Sequence, residues 1–216
     1  MKMFIKQIDN MVLIGGIVTE YKEGTKNAEG RVVNIKLKGK EWNGKEEVDK
    51  VVEVAFWNSS DADKPQLADN VKKAGLSVGQ FITVLAIPRD DKDKYTALRF
   101  QYSGRWHFPA TENRKEYNIF VGTVSTVNKY DGRTYISMPS KEYDPTTGEY
   151  DTVWHGITFW NNDKSKLADN AAKCFVVRED GKKPKAVVIA GENKPYEGYN
   201  NYTGYSFRML PEEAYA

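Results

Sequence analysis

Aromatic side chains close to cations are the feature of this sequence that most clearly suits a particular chemistry. The chain has 13 Tyr, 9 Phe and 5 Trp, and many of these rings stand near Lys or Arg. Nucleobases stack on exposed rings, while neighbouring cations neutralise the phosphates between the bases. The mixture therefore indicates a surface that binds single-stranded nucleic acid.

The overall charge adds little to this indication. The chain has 32 Lys and Arg against 30 Asp and Glu, which gives a net charge of +2. A domain that attracts nucleic acid through its whole field is usually far more basic. Phosphate contacts must therefore come from a local arrangement of cations. The candidates are Lys38, Lys40, Lys141 and Lys194.

No combination of residues indicates catalysis or metal binding. His107 and His155 are the only histidines, and no Cys or His cluster has the spacing of a zinc site. The sequence has no glycine-rich phosphate loop followed by Lys-Ser or Lys-Thr, and no G-x-S-x-G element. We expect a protein that is not an enzyme and that needs no metal or cofactor.

The sequence also favours a reducing compartment. Cys174 is the only cysteine and has no partner for an intramolecular disulfide, and residues 1–10 lack the apolar stretch of a secretion signal. No run approaches the roughly 20 apolar residues of a membrane span. We therefore expect a cytoplasmic protein.

An internal repeat divides the chain into two halves. Phe56-Trp57-Asn58 recurs as Phe159-Trp160-Asn161, and the Leu-Ala-Asp-Asn segment that begins at Leu67 recurs at Leu167. A period of about 100 residues indicates a duplicated domain, because solenoid repeats are shorter. We place a linker at 108–115, where a proline and polar residues interrupt the pattern, so the predicted domains are 1–108 and 115–216.

Each half has the pattern of five strands with a helix after the third, which predicts an all-β chain of two tandem OB-folds, each a five-stranded Greek-key barrel. The strands expected in the first half are Val12–Val18, Val32–Leu37, Val51–Trp57, Phe81–Ile87 and Tyr95–Tyr102, with a helix over Lys64–Ala74. Those in the second half are Tyr117–Val127, Thr134–Met138, Val153–Trp160, Ala186–Ala190 and Tyr202–Leu210, with a helix over Leu167–Phe175.

The second half resembles the bacterial single-stranded DNA-binding protein family. Its Thr147-Gly148-Glu149 turn, followed by Trp154-His155, matches the order and spacing of that family's T-G-E turn and W-H pair. The resemblance implies that Tyr143, Trp154 and Trp160 stack with bases. It also implies a stacking ring at Tyr196, which follows Lys194-Pro195 in the loop between the last two strands.

The first half carries a weaker version of the same resemblance. The segment from Asn10 to Gly16 is similar to the family's first strand, and Trp42 and Trp57 stand where it has aromatic residues. Val51-Val52 replaces the W-H pair, however. The first domain is therefore expected to bind more weakly, or mainly to support dimerisation.

The alternative for every ring is burial, since Trp and Tyr often fill cores. Strand alternation places Trp154 and Trp160 on one face of the third strand, with His155, Ile157 and Phe159 on the other. Ile157 and Phe159 are typical core residues. We therefore expect the two tryptophans to be exposed together on the outer face.

The resemblance implies binding of single-stranded DNA with little sequence preference, protecting it during replication, recombination or repair. RNA stays open as a ligand, because stacking does not read the 2′-hydroxyl. A homodimer would present four OB-folds. The family's acidic, Phe-ended tip has no counterpart in the last residues of this sequence, so recruitment of replication proteins by that route is not expected. The alternative function is a duplicated OB-fold protein-interaction or structural module without DNA binding.

Overall fold

A computed structural model describes residues 3–8, 10–26, 30–64, 66–101, 104–108, 110, 112, 115–177, 179–195 and 199–210. The chain forms two compact units, Met1–Gln101 and Tyr102–Glu212. Both consist of β-strands and one short helix, as the sequence predicts.

The first unit is a closed barrel. Its sheet has the order β1-β2-β3-β4-β6-β5, and β5 also pairs with β2. The long strand β2 serves both neighbours, with its first part against β5 and its second part against β3, and a register shift between Val18 and Glu20 lets it bend. This is the strand order of an OB-fold. The elements are β1 (Phe4–Ile8), β2 (Met11–Lys26), β3 (Gly30–Trp42), β4 (Glu47–Trp57), α1 (Leu67–Lys73), β5 (Phe81–Pro88) and β6 (Lys94–Gln101).

The second unit repeats this order with its first barrel strand in two pieces. The sheet runs β7-β8-β12-β13-β11-β10-β9. Between β8 and β9, Val124 donates its N–H to Pro184 O at 2.8 Å, and Ser125 donates its N–H to Ser137 O at 2.8 Å. This segment therefore connects the residue before β12 with strand β10. The elements are β7 (Gly104–Phe108), β8 (Tyr117–Thr123), β9 (Thr126–Tyr130), β10 (Arg133–Asp144), β11 (Glu149–Trp160), α2 (Leu167–Cys174), β12 (Lys185–Asn193) and β13 (Asn200–Met209).

The boundary between the units differs from the sequence-based prediction. Strand β7 pairs with β8 from Gly104 opposite Val121 to Phe108 opposite Tyr117, just as β1 pairs with β2 in the first unit. Trp106 on β7 is buried, 5% exposed. The two compact units therefore divide the chain between residues 101 and 102, whereas the sequence-based boundary lies at 108–115.

The repeated Phe-Trp-Asn motif has a structural role in both units. Asn161 Oδ1 accepts hydrogen bonds from Ala168 N at 2.9 Å and Asp169 N at 3.3 Å, at the start of α2. In the first unit, Asn58 Oδ1 accepts from Asp69 N at 3.1 Å. These bonds satisfy N–H groups that a helix start leaves without a partner. The motif therefore ties the end of the third barrel strand to the helix.

Rings and small aliphatic side chains fill the core of the second unit. Phe159 lies 5.5 Å from Phe207 between ring centroids, and Phe175 lies 4.7 Å from Phe207. The buried face of α2, Ala168 and Ala171, closes the barrel against them. Because Phe159 and Ile157 face this core, the other face of β11 is directed outwards, which confirms the predicted alternation.

Candidate nucleic-acid interface

The outward face of β11 carries two exposed tryptophans. Trp154 is 53% exposed and Trp160 is 48% exposed, whereas His155 between them in sequence is 1% exposed. Both tryptophans thus keep about half of their surface open to solvent, whereas the residue between them faces the core. The structure therefore confirms that both tryptophans are exposed on one face.

Strands β9 and β10 extend this face with further rings and cations. In the register of β10 and β11, Arg133 lies opposite Trp160, and Tyr143 lies opposite Tyr150. The rings of Tyr143 and Tyr150 are 5.4 Å apart and both are exposed. We call the outward side chains of these three strands the aromatic face: Asn128, Tyr130, Arg133, Tyr135, Lys141, Tyr143, Tyr150, Trp154, Thr158 and Trp160.

The aromatic face is long enough for several nucleotides. From Tyr150 to Trp160 it follows β11 over roughly 34 Å, at about 3.4 Å per residue. The rings stand at separate levels along this length: the tyrosine pair at the hairpin end, Trp154 in the middle, and Trp160 near the far end. OB-folds bind about 4–16 nucleotides each, which suits a row of this size.

The ring of Tyr135 lies against Gly156 of β11. A Cβ placed on Gly156 would come within 2.7 Å of its Cε2 atom, so the glycine is what allows the ring to lie there. Burial raises the pKa of the Tyr135 phenol, and the phenols of Tyr130 and Tyr199 raise it further. Tyr135 is therefore a partly buried ring on the aromatic face.

The predicted lysines differ in their partners. Lys141 lies on the exposed side of β10, and none of the carboxylates that the structure describes pairs with it. Lys194 is 3.1 Å from Glu192 Oε1, and Lys38 is 3.1 Å from Asp49 Oδ2. Lys40 is exposed on β3 opposite Asp49. Lys141 is therefore the predicted lysine with the clearest access to a phosphate on the aromatic face.

The corresponding face of the first unit is charged instead of aromatic. Counting back from Trp57, which is equivalent to Trp160, places Val51 where the second unit has Trp154 and Glu53 where it has Gly156. Glu20 pairs with both Lys22 and Lys36, and these hydrogen bonds, the one to Lys22 first, lower the pKa of Glu20 to about 2. Lysines on this face of the first unit are thus largely neutralised by carboxylates of the same unit.

Trp57 is half-buried at the end of β4, opposite Val32. The positions of the other two predicted rings are not described, because the Trp42 side chain and all of Tyr196 lie outside the described residues. The predicted rings that the structure brings together are therefore Tyr143, Trp154 and Trp160, all in the second unit.

A buried polar network lies behind Trp154. His155 Nε2 is 2.7 Å from Ser140 Oγ and 2.9 Å from Glu142 Oε1. Arg105 Nε is 3.0 Å from Glu142 Oε1, and Arg105 Nη1 donates to the Tyr202 hydroxyl at 2.9 Å. Burial lowers the pKa of His155 to about 4. Burial alone would raise the pKa of Glu142, but Ser140 and Arg105 outweigh it and hold that pKa below its usual range.

The residue types of this network include Ser, His and an acid, but their geometry is not that of a hydrolytic triad. In a triad, the serine and the acid bind opposite nitrogens of the imidazole. Here Ser140 and Glu142 share Nε2, and Nδ1 is buried with no hydrogen-bond partner among the described residues. The network instead fixes β10, β11 and β7 to one another behind the aromatic face.

Sequence reasoning missed six residues of the aromatic face, and four of them are rings or cations: Tyr130, Arg133, Tyr135 and Tyr150. Strand alternation carries the signal for two of them, since Tyr135 has the parity of Tyr143, and Tyr150 has the parity of Trp154. Tyr130 and Arg133 meet only because Asp131-Gly132 forms a tight turn, in which Gly132 has a φ of +68°.

In the described part of the chain, no group of three or more His, Cys, Asp or Glu could hold a metal ion. None of the helices there has the length and apolar character needed to span a membrane.

No family model and no curated protein matches this sequence. Among solved structures, the wild-type single-stranded DNA-binding protein from Thermus aquaticus is similar over 98% of this chain and 95% of its own, at 13% identity and a TM-score of 0.33. The protein PriB from Ralstonia solanacearum is similar over 44% of this chain and 98% of its own, at 12% identity and a TM-score of 0.33. The strand order of the two units is that of two OB-folds.

Proposed function

We propose that this protein binds single-stranded DNA with little sequence preference and protects it during replication, recombination or repair. The observation that carries the proposal is the joint exposure of Trp154 and Trp160 on one strand face. Exposed apolar patches of this kind usually mark an interaction site. The open cation Lys141 on the same face suits a ligand with alternating rings and phosphates.

Binding by this face follows from stacking and charge. Each base that stacks on a ring contributes about 1–3 kcal/mol, whatever its identity, because every base has a flat π-surface. Arg133 and Lys141 neutralise phosphates and release counterions, so affinity falls as salt rises. Recognition through stacking and phosphates leaves the base edges unread, which accounts for low sequence preference.

The second unit performs most of this binding in our proposal. The first unit has valines and paired charges at the equivalent positions, so it binds DNA weakly or supports a homodimer with four barrels. The protein acts by binding, with no catalytic step.

A protein-interaction module is the second candidate, because exposed Tyr and Trp are also enriched in protein interfaces. The two candidates differ in their response to an oligonucleotide. A protein-binding surface predicts no tryptophan quenching by oligo-dT, whereas a stacking surface predicts strong quenching that weakens at high salt.

The test is a titration of intrinsic tryptophan fluorescence with oligo-dT at low and high salt, for the wild type and Trp154→Ala. We expect salt-sensitive quenching in the wild type, and an affinity about 5- to 150-fold lower in the variant. Val51→Ala, at the equivalent place in the first unit, is the control and should bind as the wild type does. A parallel titration with oligo-U compares RNA. Absence of quenching in the folded wild type would favour the protein-interaction module.

A further inference from the structure

Arg133 is held between two rings at one end of the aromatic face. Its Cζ atom is 4.9 Å from the centroid of the Tyr130 ring and 5.6 Å from that of Trp160. Rings on a guanidinium attract it through their π-faces and leave its N–H groups, which lie in its own plane, available for hydrogen bonds. Arg133 is therefore a cation with a fixed position whose N–H groups can donate hydrogen bonds to a ligand.

The hairpin that carries Arg133 is also fixed. Asn161 donates its N–H to Gly132 O at 2.9 Å, which ties the β9–β10 turn to the residue that follows Trp160. A cation that is already ordered loses little side-chain entropy when it binds an anion. The local structure thus keeps Arg133, Tyr130 and Trp160 together before any ligand arrives.

None of the carboxylates that the structure describes pairs with Arg133. The lysines on the equivalent face of the first unit behave differently, since Lys36 pairs with Glu20 and Lys38 with Asp49. An unpaired guanidinium presents its fork of donors to a planar or tetrahedral anion, and phosphate is the anion that such a fork matches well. Arg133 therefore fits a phosphate group.

A small cavity adjoins the guanidinium. It has a volume of about 270 Å³ and is lined by Asn128, Tyr130, Arg133, Tyr135 and Thr158. This volume is just below the range of sites for drug-sized ligands, which suits a single ring system. Within the described ranges, the Asn128 amide and the Thr158 hydroxyl make no side-chain hydrogen bond to protein, so both remain able to contact the edge of a base.

We infer that this end of the aromatic face is a nucleotide subsite. Arg133 binds one phosphate of the strand, and the adjoining base enters the cavity against the ring of Tyr135. The inference rests on the proposed function and adds to it the place where the strand is anchored. The first unit has no such subsite, because Gly24, Val32 and Asn34 stand in the ladder where the second unit has Tyr130, Arg133 and Tyr135.

The charge part of the inference is tested by the salt dependence of affinity for oligo-dT. Each phosphate contact contributes about 0.7 to the slope of log affinity against log salt for single strands. We expect Arg133→Ala to reduce the steepness of that slope by about this amount, whereas Arg133→Lys should keep the slope and lose affinity. Lys173→Ala, a charge removed from the exposed side of α2, is the matched control and should leave the slope unchanged.

The base part of the inference is tested with Tyr135→Ala and two ligands, oligo-dT and an abasic oligonucleotide of the same length. Loss of a stacked base should weaken oligo-dT binding about five-fold or more. The abasic strand has phosphates but no bases, so the variant should bind it as the wild type does. Equal losses for both ligands would overturn the placement of a base at Tyr135.

The outcomes separate the subsite from the proposed function. If the wild type binds oligo-dT and Trp154→Ala weakens binding, while Arg133→Ala changes neither slope nor affinity, the subsite is wrong and the function stands. If the folded wild type does not bind oligo-dT at any salt concentration, both proposals are overturned. Circular dichroism of each variant establishes that it is folded, and Arg133→Gln gives a second, polar replacement should Arg133→Ala not fold.

Discussion

The two units have the same strand order, but the residues on their outer faces differ in chemical character. Phe56 and Phe159 fill equivalent core positions, and Asn58 and Asn161 hold equivalent helix starts. On the outside, Trp154 of the second unit stands where the first unit has Val51. The barrel therefore fixes which positions face outwards, while the residues at those positions determine what the face can bind.

The interiors also differ in how they respond to acid. His155 lies buried in the second unit, whereas Val52 occupies the equivalent core position of the first. A histidine with a lowered pKa binds its proton more weakly in the folded chain than in the unfolded one. The second unit should therefore lose stability as the pH falls from about 6.5 towards the folded pKa of about 4.

This acid effect is the largest that we predict, on the order of 3 kcal/mol for a shift of this size. Glu142, whose pKa is also lowered, adds to it in the same direction at lower pH. Hydrogen exchange at pH 7 and pH 4.5 measures it unit by unit: the strands of the second unit should lose protection before those of the first. His155→Gln should reduce the difference, and an unchanged pH response in that variant would contradict the assignment to His155.

Replacing the aligned tryptophans tests the outer faces directly. Trp160→Ala should weaken binding of oligo-dT by about 1–3 kcal/mol, because it removes a stacking ring and one of the two rings that hold Arg133. Trp57→Ala, its counterpart in the first unit, should weaken binding less. Isothermal titration of both variants measures the difference, and equal losses would mean that the two faces share the ligand.

Exchanging one residue between the units tests the contribution of Tyr135 to binding. Gly156→Glu introduces the residue that the first unit has at this position, and its Cβ would displace the ring of Tyr135. We expect a loss of about 1 kcal/mol in binding of oligo-dT, close to the lower limit for one stacked base. The reverse change, Glu53→Gly, should leave binding unchanged. Fluorescence titration measures affinity, and wild-type affinity in Gly156→Glu would exclude a role for Tyr135.

The smallest expected effect concerns the helix starts. Asn161 accepts two backbone hydrogen bonds, whereas Asn58 accepts one. Loss of such a helix-start contact typically costs about 1 kcal/mol, so Asn161→Ala should destabilise its unit slightly more than Asn58→Ala does. Urea unfolding followed by circular dichroism compares the two. A larger loss for Asn58→Ala would show that other contacts govern these helices.

Sequence patterns predicted the barrels well because the periodicity of each strand and helix is read from neighbouring residues. The internal repeat then shows that both halves share the same order of elements. The core positions Ile157 and Phe159 follow from strand alternation, and the helices follow from the repeated Leu-Ala-Asp-Asn segment. Residues 104–108 were not predicted as a strand, since the proline and polar residues that follow them occur in hairpin turns as well as in linkers. Only the pairing of β7 with β8 distinguishes the two.

The binding face was predicted in part for a related reason. Trp154 and Trp160 carry a strong signal in their own strand, but Arg133 becomes notable only when the register places it opposite Trp160 and the turn places it opposite Tyr130. Register depends on partners that are distant in sequence. The network of Arg105, Glu142 and His155 joins three strands and likewise cannot be predicted from local sequence patterns.

The pairing of β7 with β8 determines how the protein can be divided into fragments. A fragment that begins at residue 115 would lack Arg105, leaving Glu142 in the barrel without its guanidinium partner. It would also expose the backbone N–H and C=O groups along the edge of β8, and free strand edges promote pairing with other chains. Such a fragment should be less stable than one that begins between residues 102 and 104, which retains both Arg105 and the hydrogen bonds between β7 and β8.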